Sequence, residues 1–261
     1  IGSREDAFQL RALAANRKAI RPAAVRITQR LADPIEIRDL GQVEVWKGGT
    51  RLRIVRRKVL GLVCFLSSRP SMAATRDEVL DALWPDLGSD TAGNSLHQTI
   101  YFLRRVFEPD YREGLSAGYV TYDGEVVAMN ASLVDSQSRR CWRSIRQSSN
   151  SDLPDSYLGR FALDFAYEDW AADYRNNLHA AVLAGAEGLM ARSMLNGDAA
   201  SAIRVGHQVL AIDPEADAIE LALLRAYKAS GRHAAAAEQY GHYSAFMREE
   251  LGIEPPSLED V

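Results

Sequence analysis

The sequence has little cysteine and no long apolar run. Only two cysteines, Cys64 and Cys141, occur among its 261 residues. They are too few for a disulfide framework, so we expect a reducing, cytoplasmic setting. No apolar stretch approaches the ~20 residues that a membrane-spanning helix needs. The first thirty residues are rich in arginine and lack the apolar segment of a signal peptide. We therefore expect no membrane partner.

Motifs typical of cofactor-dependent and metal-dependent enzymes are also missing. The sequence has neither a G-x-x-x-x-G-K-S/T loop nor a G-x-G-x-x-G fingerprint for nucleotides. Its histidines form no H-E-x-x-H motif and are not spaced with cysteine as in zinc sites; they are His97, His179, His207, His233 and His242. Cys64 lies in an apolar segment, which favours a core position over a nucleophile. We therefore expect no enzymatic activity, no cofactor and no metal site.

The chain as a whole has no excess of positive charge, since its 31 Lys and Arg residues are outnumbered by 35 Asp and Glu residues. The formal net charge is −4 at pH 7, which taken alone argues against a nucleic-acid partner. The charge is uneven, however. Residues 35–130 carry −1 and residues 151–261 carry −10, whereas residues 1–34 and 131–150 are basic. The acidic total therefore belongs to the C-terminal part, and nucleic-acid binding by a few placed side chains stays open for the rest.

Two breaks divide the sequence into four parts. Residues 1–34 are rich in Ala, Leu, Arg and Gln and are predicted as the helical tail of an upstream region, or as a linker, because the helical pattern ends before Pro34. Residues 147–154 are a polar linker. Residues 35–146 show mixed strand and helix patterns, and residues 155–261 are almost purely helical.

The segment 35–146 has the pattern of a winged helix-turn-helix. Period-two alternation predicts a small sheet of three strands, at 35–38, 43–46 and 52–54. Three helices with recognisable ends follow, and the second opens with a capping box of Thr75 and Glu78; they lie at 56–66, 75–84 and 90–108. A hairpin comes last, in which Asp123-Gly124 favours a type I′ turn. Sheet, three helices and a terminal hairpin are the order of elements in that fold.

The helix at residues 91–107 has two distinct sides. At ~100° per residue, four apolar residues fall within about 60° of one another and form the predicted buried stripe, namely Leu96, Ile100, Leu103 and Phe107. The opposite side carries Asn94, Gln98, Tyr101 and Arg105, with Thr91, His97 and Phe102 at its margins. The predicted DNA-contacting residues of this helix are Thr91, Asn94, Gln98, Tyr101 and Arg105. Asn and Gln pair with adenine, and Arg pairs with guanine or phosphate. This side is either a solvated helix face or a surface for the major groove, and its aromatic residues favour the second.

Two further features could touch a nucleic-acid backbone. A basic cluster between residues 51 and 58 includes Arg56 and Arg57 at the start of the first helix. Such a run is either a solvated face or a set of phosphate contacts. The hairpin tip, with Tyr122 and Gly124, is the second candidate for a backbone or minor-groove contact.

The C-terminal part repeats itself at an interval of 34 residues, which is the tetratricopeptide period. The matching pairs are Leu189 and Leu223, Gly197 and Gly231, and Ala202 and Ala236. Each unit is predicted as helix, glycine-containing turn, helix. The fold class is therefore mostly α with a small β component, a winged helix-turn-helix followed by an all-α tetratricopeptide-like domain. Such repeats mostly form binding or assembly surfaces.

Four short segments are informative because of their order along the chain. Residues 76–85 (RDEVLDALWP) and 94–105 (NSLHQTIYFLRR) are followed by 167–170 (YEDW) and 249–255 (EELGIEP). Over residues 35–261 the chain thereby resembles the SARP-type, or AfsR-like, bacterial transcriptional regulators. In these proteins an OmpR/PhoB-type winged helix precedes a bacterial transcriptional activator domain. The first two segments are similar to the second helix and the recognition helix, and the last two to the opening and closing of the activator domain.

The resemblance implies a sequence-specific regulator, and an activator, that binds double-stranded DNA through the helix at 91–107. It implies a homodimer on DNA, a repeat domain used for self-association or RNA polymerase contact, and an upstream sensor or ATPase region. We therefore expect the chain to be the C-terminal effector part of a larger protein. Tyr101 and Phe102 depart from the family, which often has a small polar residue and Arg there. The alternative is a protein-interaction module whose winged helix no longer binds DNA.

Overall fold

The computed structural model describes residues 6, 9, 12–14, 18–146, 157–250 and 252–260. The chain divides into two compact units: unit 1 is Ile1–Arg140 with Phe161–Arg175, and unit 2 is Cys141–Arg160 with Asn176–Val261. The predicted linker at 147–154 lies outside the described residues. Among the described helices, none combines the length and the apolar character needed to span a membrane.

The secondary structure alternates in unit 1 and is helical in unit 2. The described strands are β1 (Ile35–Arg38), β2 (Glu44–Lys47), β3 (Thr50–Leu52), β4 (Ala73–Thr75), β5 (Val120–Tyr122), β6 (Val126–Met129) and β7 (Val134–Ser136). The described α-helices are α1 (Arg21–Leu31), α2 (Arg57–Ser68), α3 (Arg76–Leu83), α4 (Ser89–Phe107), α5 (Gln137–Arg146), α6 (Asp169–Leu195), α7 (Ala199–Leu210), α8 (Asp217–Ala229) and α9 (His233–Glu249). Short 3₁₀ turns lie at Lys18–Ile20 and Leu163–Phe165.

The N-terminal sheet of unit 1 has the strand order β3-β2-β1-β7. β1 and β2 pair antiparallel, with Ile37 opposite Val45, and both side chains are buried, as the alternation predicts. β7 adds a parallel edge, with Val134 opposite Ile35. Neither β7 nor α5 is predicted from the sequence. For β7 the reason is its length, because a strand of three residues is too short to show a period.

Helices α2, α3 and α4 form the helical part of the winged helix, with ends close to the predicted ones. The capping box that opens α3 is confirmed. The Thr75 hydroxyl accepts from the Glu78 N–H at 3.3 Å, and the Glu78 carboxylate accepts from the Thr75 N–H at 2.7 Å. At the other end of α3, the ammonium group of Lys58 donates to the carbonyl of Leu83. These contacts satisfy backbone groups that a helix end otherwise leaves unpaired.

The wing is a three-stranded sheet of order β4-β6-β5. The predicted hairpin is present, but the type I′ turn is wrong. That turn needs positive φ at both central residues. Gly124 has φ +105°, whereas Asp123 keeps a negative φ, and its carboxylate accepts from the backbone N–H groups of Glu125 and Val126 at 2.9 and 2.8 Å. The Asp side chain thus closes the loop itself, as Asp does in many turns.

Residues 161–175 pack in unit 1, although the sequence assigns them to the repeat domain. The N–H of Ala162 donates to the carbonyl of Asp39 at 2.8 Å, and the N–H of Val43 donates to the carboxylate of Asp164 at 2.6 Å. The segment therefore adds backbone hydrogen bonds to the end of β1 and the start of β2.

The same segment contributes to the core of unit 1. Phe161 and Phe165 are buried, and Phe165 lies against Gly61 of α2, where a Cβ atom would come within 3.4 Å of the ring. The guanidinium of Arg175 is also buried and donates to the carbonyls of Phe161 and Phe165, each at 2.8 Å. A buried cation is tolerated here because its donors are paired.

Unit 2 has the predicted helix-turn-helix repeats. Gly197 ends α6 and Gly231 ends α8 with φ of +74° and +72°, the left-handed conformation that glycine adopts without strain. Ala202 of α7 and Ala236 of α9 are both buried in the hydrophobic core of unit 2, so their small side chains let neighbouring helices approach closely. The all-α tetratricopeptide-like fold is therefore confirmed.

Candidate nucleic-acid interface

The buried stripe of α4 fixes which side of the helix faces outward. The four apolar residues predicted to be buried, Leu96, Ile100, Leu103 and Phe107, are each 2% exposed or less. Burial of side chains of this size stabilises the helix position by about 1.5–3 kcal/mol each. The opposite side of α4 is therefore held toward solvent.

The predicted contact residues of α4 all lie on that outward side. Thr91, Asn94, Gln98, Tyr101 and Arg105 are exposed. Tyr101 is 54% exposed, which is high for an aromatic side chain of this size. The outward side thus offers two amides, two hydroxyls, one aromatic ring and one guanidinium.

Two arginines and two aromatic rings form a continuous row beside this surface. The guanidinium of Arg56 lies over the ring of Phe102 at 3.7 Å from its centroid. Phe102 meets Tyr101 edge-to-face at 5.4 Å, and Arg105 lies 5.6 Å from the centroid of Tyr101. We call these four side chains the arginine–aromatic row. Cation–π and edge-to-face contacts are attractive, so the row holds Tyr101 in its outward position.

The arginines near α4 differ in the hydrogen bonds and ion pairs that they make within the protein. Arg105 donates to the carbonyl of Pro109 at 2.7 Å, and Arg104 donates to the carbonyl of Val120 at 3.2 Å. Arg57 is paired with Glu168 at 3.2 Å and also lies over the ring of Phe165. Of the two predicted phosphate contacts at the start of α2, Arg56 therefore lies beside α4, and Arg57 is held by residues 161–175.

The wing contacts α4 through a ring contact as well as through the hydrogen bond from Arg104 to Val120 of β5. The ring of Tyr122 packs on His97 at a centroid distance of 5.3 Å, and its hydroxyl donates to the carbonyl of Gly124 at 3.0 Å. The exposed tip carries the carboxylates of Asp123 and Glu125. Hydrogen bonds from the N–H groups of Val126 and Glu125 lower the pKa of Asp123, so its charge persists at neutral pH. The tip is therefore acidic.

His97 and Phe102 belong to this surface but were not among the predicted contact residues. Both lie at the margins of the outward side, so helical periodicity alone gives them no clear assignment. His97 contacts Tyr122 in the wing, and Phe102 contacts Arg56 at the start of α2 in addition to Tyr101. In the sequence, the feature that indicates a place for Phe102 on this surface is its aromatic side chain next to Tyr101.

The described residues include no group of three or more His, Cys, Asp or Glu side chains that could hold a metal ion. The outward side of α4 is built from hydrogen-bonding groups, an aromatic ring and guanidinium groups.

Comparison with known proteins gives a family match for the C-terminal part of the chain. Residues 151–258 match the family model described as the bacterial transcriptional activator domain. The structure of Mycobacterium tuberculosis EmbR in complex with a low-affinity phosphopeptide matches with a TM-score of 0.58 at 16% sequence identity. The match covers 87% of this chain and 63% of the EmbR chain, so it shows the fold. No curated protein matches the chain.

The predicted resemblance is thus confirmed by the repeat half and by the fold. Residues 151–258 match the bacterial transcriptional activator domain, and a winged helix precedes them, which is the order of domains that the resemblance to SARP-type regulators implies.

Proposed function

We propose that the protein is a sequence-specific transcriptional activator that binds double-stranded DNA, with α4 in the major groove. One observation carries this proposal. The third helix of a winged helix has its apolar side buried and presents Asn94, Gln98, Tyr101 and Arg105 to solvent. A recognition helix needs side chains of these types on its outer side, because they reach base edges and phosphates.

The remaining parts of the proposal combine the basic and wing residues with what the family resemblance implies. Thr91 and Arg56 contact phosphates, Arg57 contributes a weaker backbone contact, and the wing approaches the backbone through Tyr122 and Gly124. The activator domain mediates self-association or contact with RNA polymerase, and two copies bind DNA as a homodimer. An upstream sensor or ATPase region controls this activity.

The test is a mobility-shift titration of the full chain with the promoter DNA of its own gene. We expect salt-sensitive retardation, and we expect Gln98→Ala and Arg105→Ala each to weaken binding about tenfold, since Gln98 contacts a base edge and Arg105 a phosphate. Arg204→Ala is the matched control because Arg204 is an exposed arginine on α7, outside the winged helix. Circular dichroism shows whether each variant remains folded. Folded protein that gives no salt-sensitive shift contradicts the proposal.

The acidic wing tip favours a second candidate, a protein-interaction module. Asp123 and Glu125 repel phosphates, and the exposed ring of Tyr101 is also typical of a protein interface. On this alternative, Gln98→Ala and Arg105→Ala leave DNA retardation unchanged and weaken the capture of a protein partner instead.

A further inference from the structure

The outward side of α4 has amides and an aromatic ring at its centre, and its cations are turned to other partners. We propose that this side selects A·T base pairs, with Asn94 and Gln98 pairing with adenines and Tyr101 contacting the 5-methyl group of thymine. The proposal rests on the DNA-binding function proposed above and adds the class of base pair that is read.

The two amides have the chemistry for adenine. A carboxamide accepts from N6 and donates to N7 of adenine at the same time, which no other base offers in the major groove. Within the described part of the chain, neither the Asn94 nor the Gln98 side chain makes a hydrogen bond, and both are exposed. Both amides are therefore available for base edges.

Tyr101 supplies the apolar surface. The residue is 54% exposed, and its ring contacts both Phe102 and Arg105. Phe102 is in turn covered by Arg56 at 3.7 Å. The row leaves Tyr101 pointing outward, where an apolar group gains most by covering the thymine methyl, the one apolar group in the major groove.

Guanine requires a different group, a free Arg or Lys that donates to O6 and N7. Of the cations on α4, Arg104 donates to Val120 and lies over Tyr111, and Arg105 donates to Pro109. His97 packs on the wing. Arg105 is thus held near the C-terminal end of α4, where its remaining N–H groups suit a phosphate.

The spacing of Asn94, Gln98 and Tyr101 along α4 sets the number of consecutive A·T base pairs that this side can face. Asn94 and Tyr101 lie seven residues apart, so at a rise of about 1.5 Å per residue they are about 10 Å apart along the helix axis. Base pairs stack at about 3.4 Å. The three side chains therefore face a run of about three to four base pairs.

The test starts with selection of binding sites by the full chain from a random duplex library, which needs no known operator. We expect each selected half-site to contain an A·T run of that length. Replacing its thymines by uracils removes only the methyl groups and is expected to weaken binding about threefold. Tyr101→Ala abolishes this difference, whereas Tyr101→Phe, which keeps the ring, retains it. Replacing its adenines by 7-deazaadenine weakens binding by the wild type about fivefold or more, and by Gln98→Ala less, since only the Asn94 contact is then left to lose.

The outcomes separate the two proposals. If no duplex is bound in a salt-sensitive manner, the DNA-binding function fails. If DNA is bound but the selected half-sites are G·C at their centre, or uracil substitution affects wild type and Tyr101→Ala equally, the A·T selection is overturned and DNA binding stands.

Discussion

Asp39 follows β1 and is fully buried. Its carboxylate accepts from the N–H and the hydroxyl of Ser138 at 2.8 and 2.7 Å, which joins the sheet to the start of α5. Burial raises the pKa of Asp39 to about 6, above its ordinary value of 3.8, even though the hydrogen bonds from Ser138 and Ser136 oppose that shift. Desolvation of the charged form outweighs the hydrogen bonds that favour it.

A prediction at the residue scale follows from this raised pKa. Because the pKa is higher in the folded than in the unfolded chain, the contribution of Asp39 to the free energy of unfolding is largest below pH 4 and is lost as the pH rises through about 6. We expect the destabilisation by Asp39→Asn, measured by urea unfolding, to be about 1 kcal/mol larger at pH 5 than at pH 8. The exposed Asp81→Asn is the control. A destabilisation that is larger at pH 8 would mean that Asp39 is held as the anion.

At the residue scale, the sequence predicts the features that depend on a single helix. The four buried and five exposed residues of α4 follow from a period of 3.6 residues, because each side chain's direction depends only on its own helix. The contact of Arg56 with Phe102 cannot be predicted in this way, since it depends on how α2 packs against α4. The same is true of Arg57, whose partner Glu168 lies on the far side of the predicted linker.

The wing is the element whose chemistry differs most from the expectation. Asp123-Gly124 is a sequence signal for a hairpin, and the hairpin is present. The signal does not distinguish a type I′ turn from a loop closed by the Asp carboxylate, because Asp is favoured in both. The structure selects the second, with Asp123 capping two N–H groups and Glu125 left exposed beside it.

A prediction at the element scale concerns Glu125. If the wing approaches a phosphate backbone, its charge opposes binding, so Glu125→Gln is expected to strengthen DNA affinity about threefold at low salt and less at high salt. The measurement is a fluorescence-anisotropy titration at two salt concentrations. Glu238→Gln, an equal charge change at an exposed position of α9, is the control. Equal effects of the two substitutions argue against a wing contact.

At the scale of the whole molecule, the packing units do not follow the sequence breaks. The repeat period of 34 residues and the polar stretch at 147–154 predict two domains with a boundary between them. Residues 161–175 nevertheless pack in unit 1, through contacts such as Val43 with Asp164, 121 positions apart. This segment contains a short 3₁₀ turn and two buried aromatic rings, Phe161 and Phe165. It has no regular hydrophobic period, so the sequence gives no signal for its packing in unit 1.

A prediction at this scale uses two fragments. A fragment of residues 18–146 lacks Phe161 and Phe165, and we expect it to be less stable than a fragment of residues 18–175 by about 3–5 kcal/mol, the value of burying two large aromatic side chains. Urea unfolding followed by circular dichroism measures the difference. Within the longer fragment, Tyr167→Ala is the control, because Tyr167 is fully exposed and its removal should leave the midpoint unchanged. Equal midpoints for the two fragments would contradict the packing.

The position of residues 161–175 also bears on how such regulators can be recombined. A chimera that joins this winged helix to a foreign activator domain at the polar stretch replaces the partners of Asp39, Val43 and Gly61 with those of another protein. The foreign segment then has to supply a carboxylate and two aromatic rings at matching positions. A junction placed after Arg175 keeps the winged helix together with the carboxylate and the two rings of residues 161–175. The module that can be exchanged, in design or in gene shuffling, therefore extends beyond the C-terminal end of the winged helix.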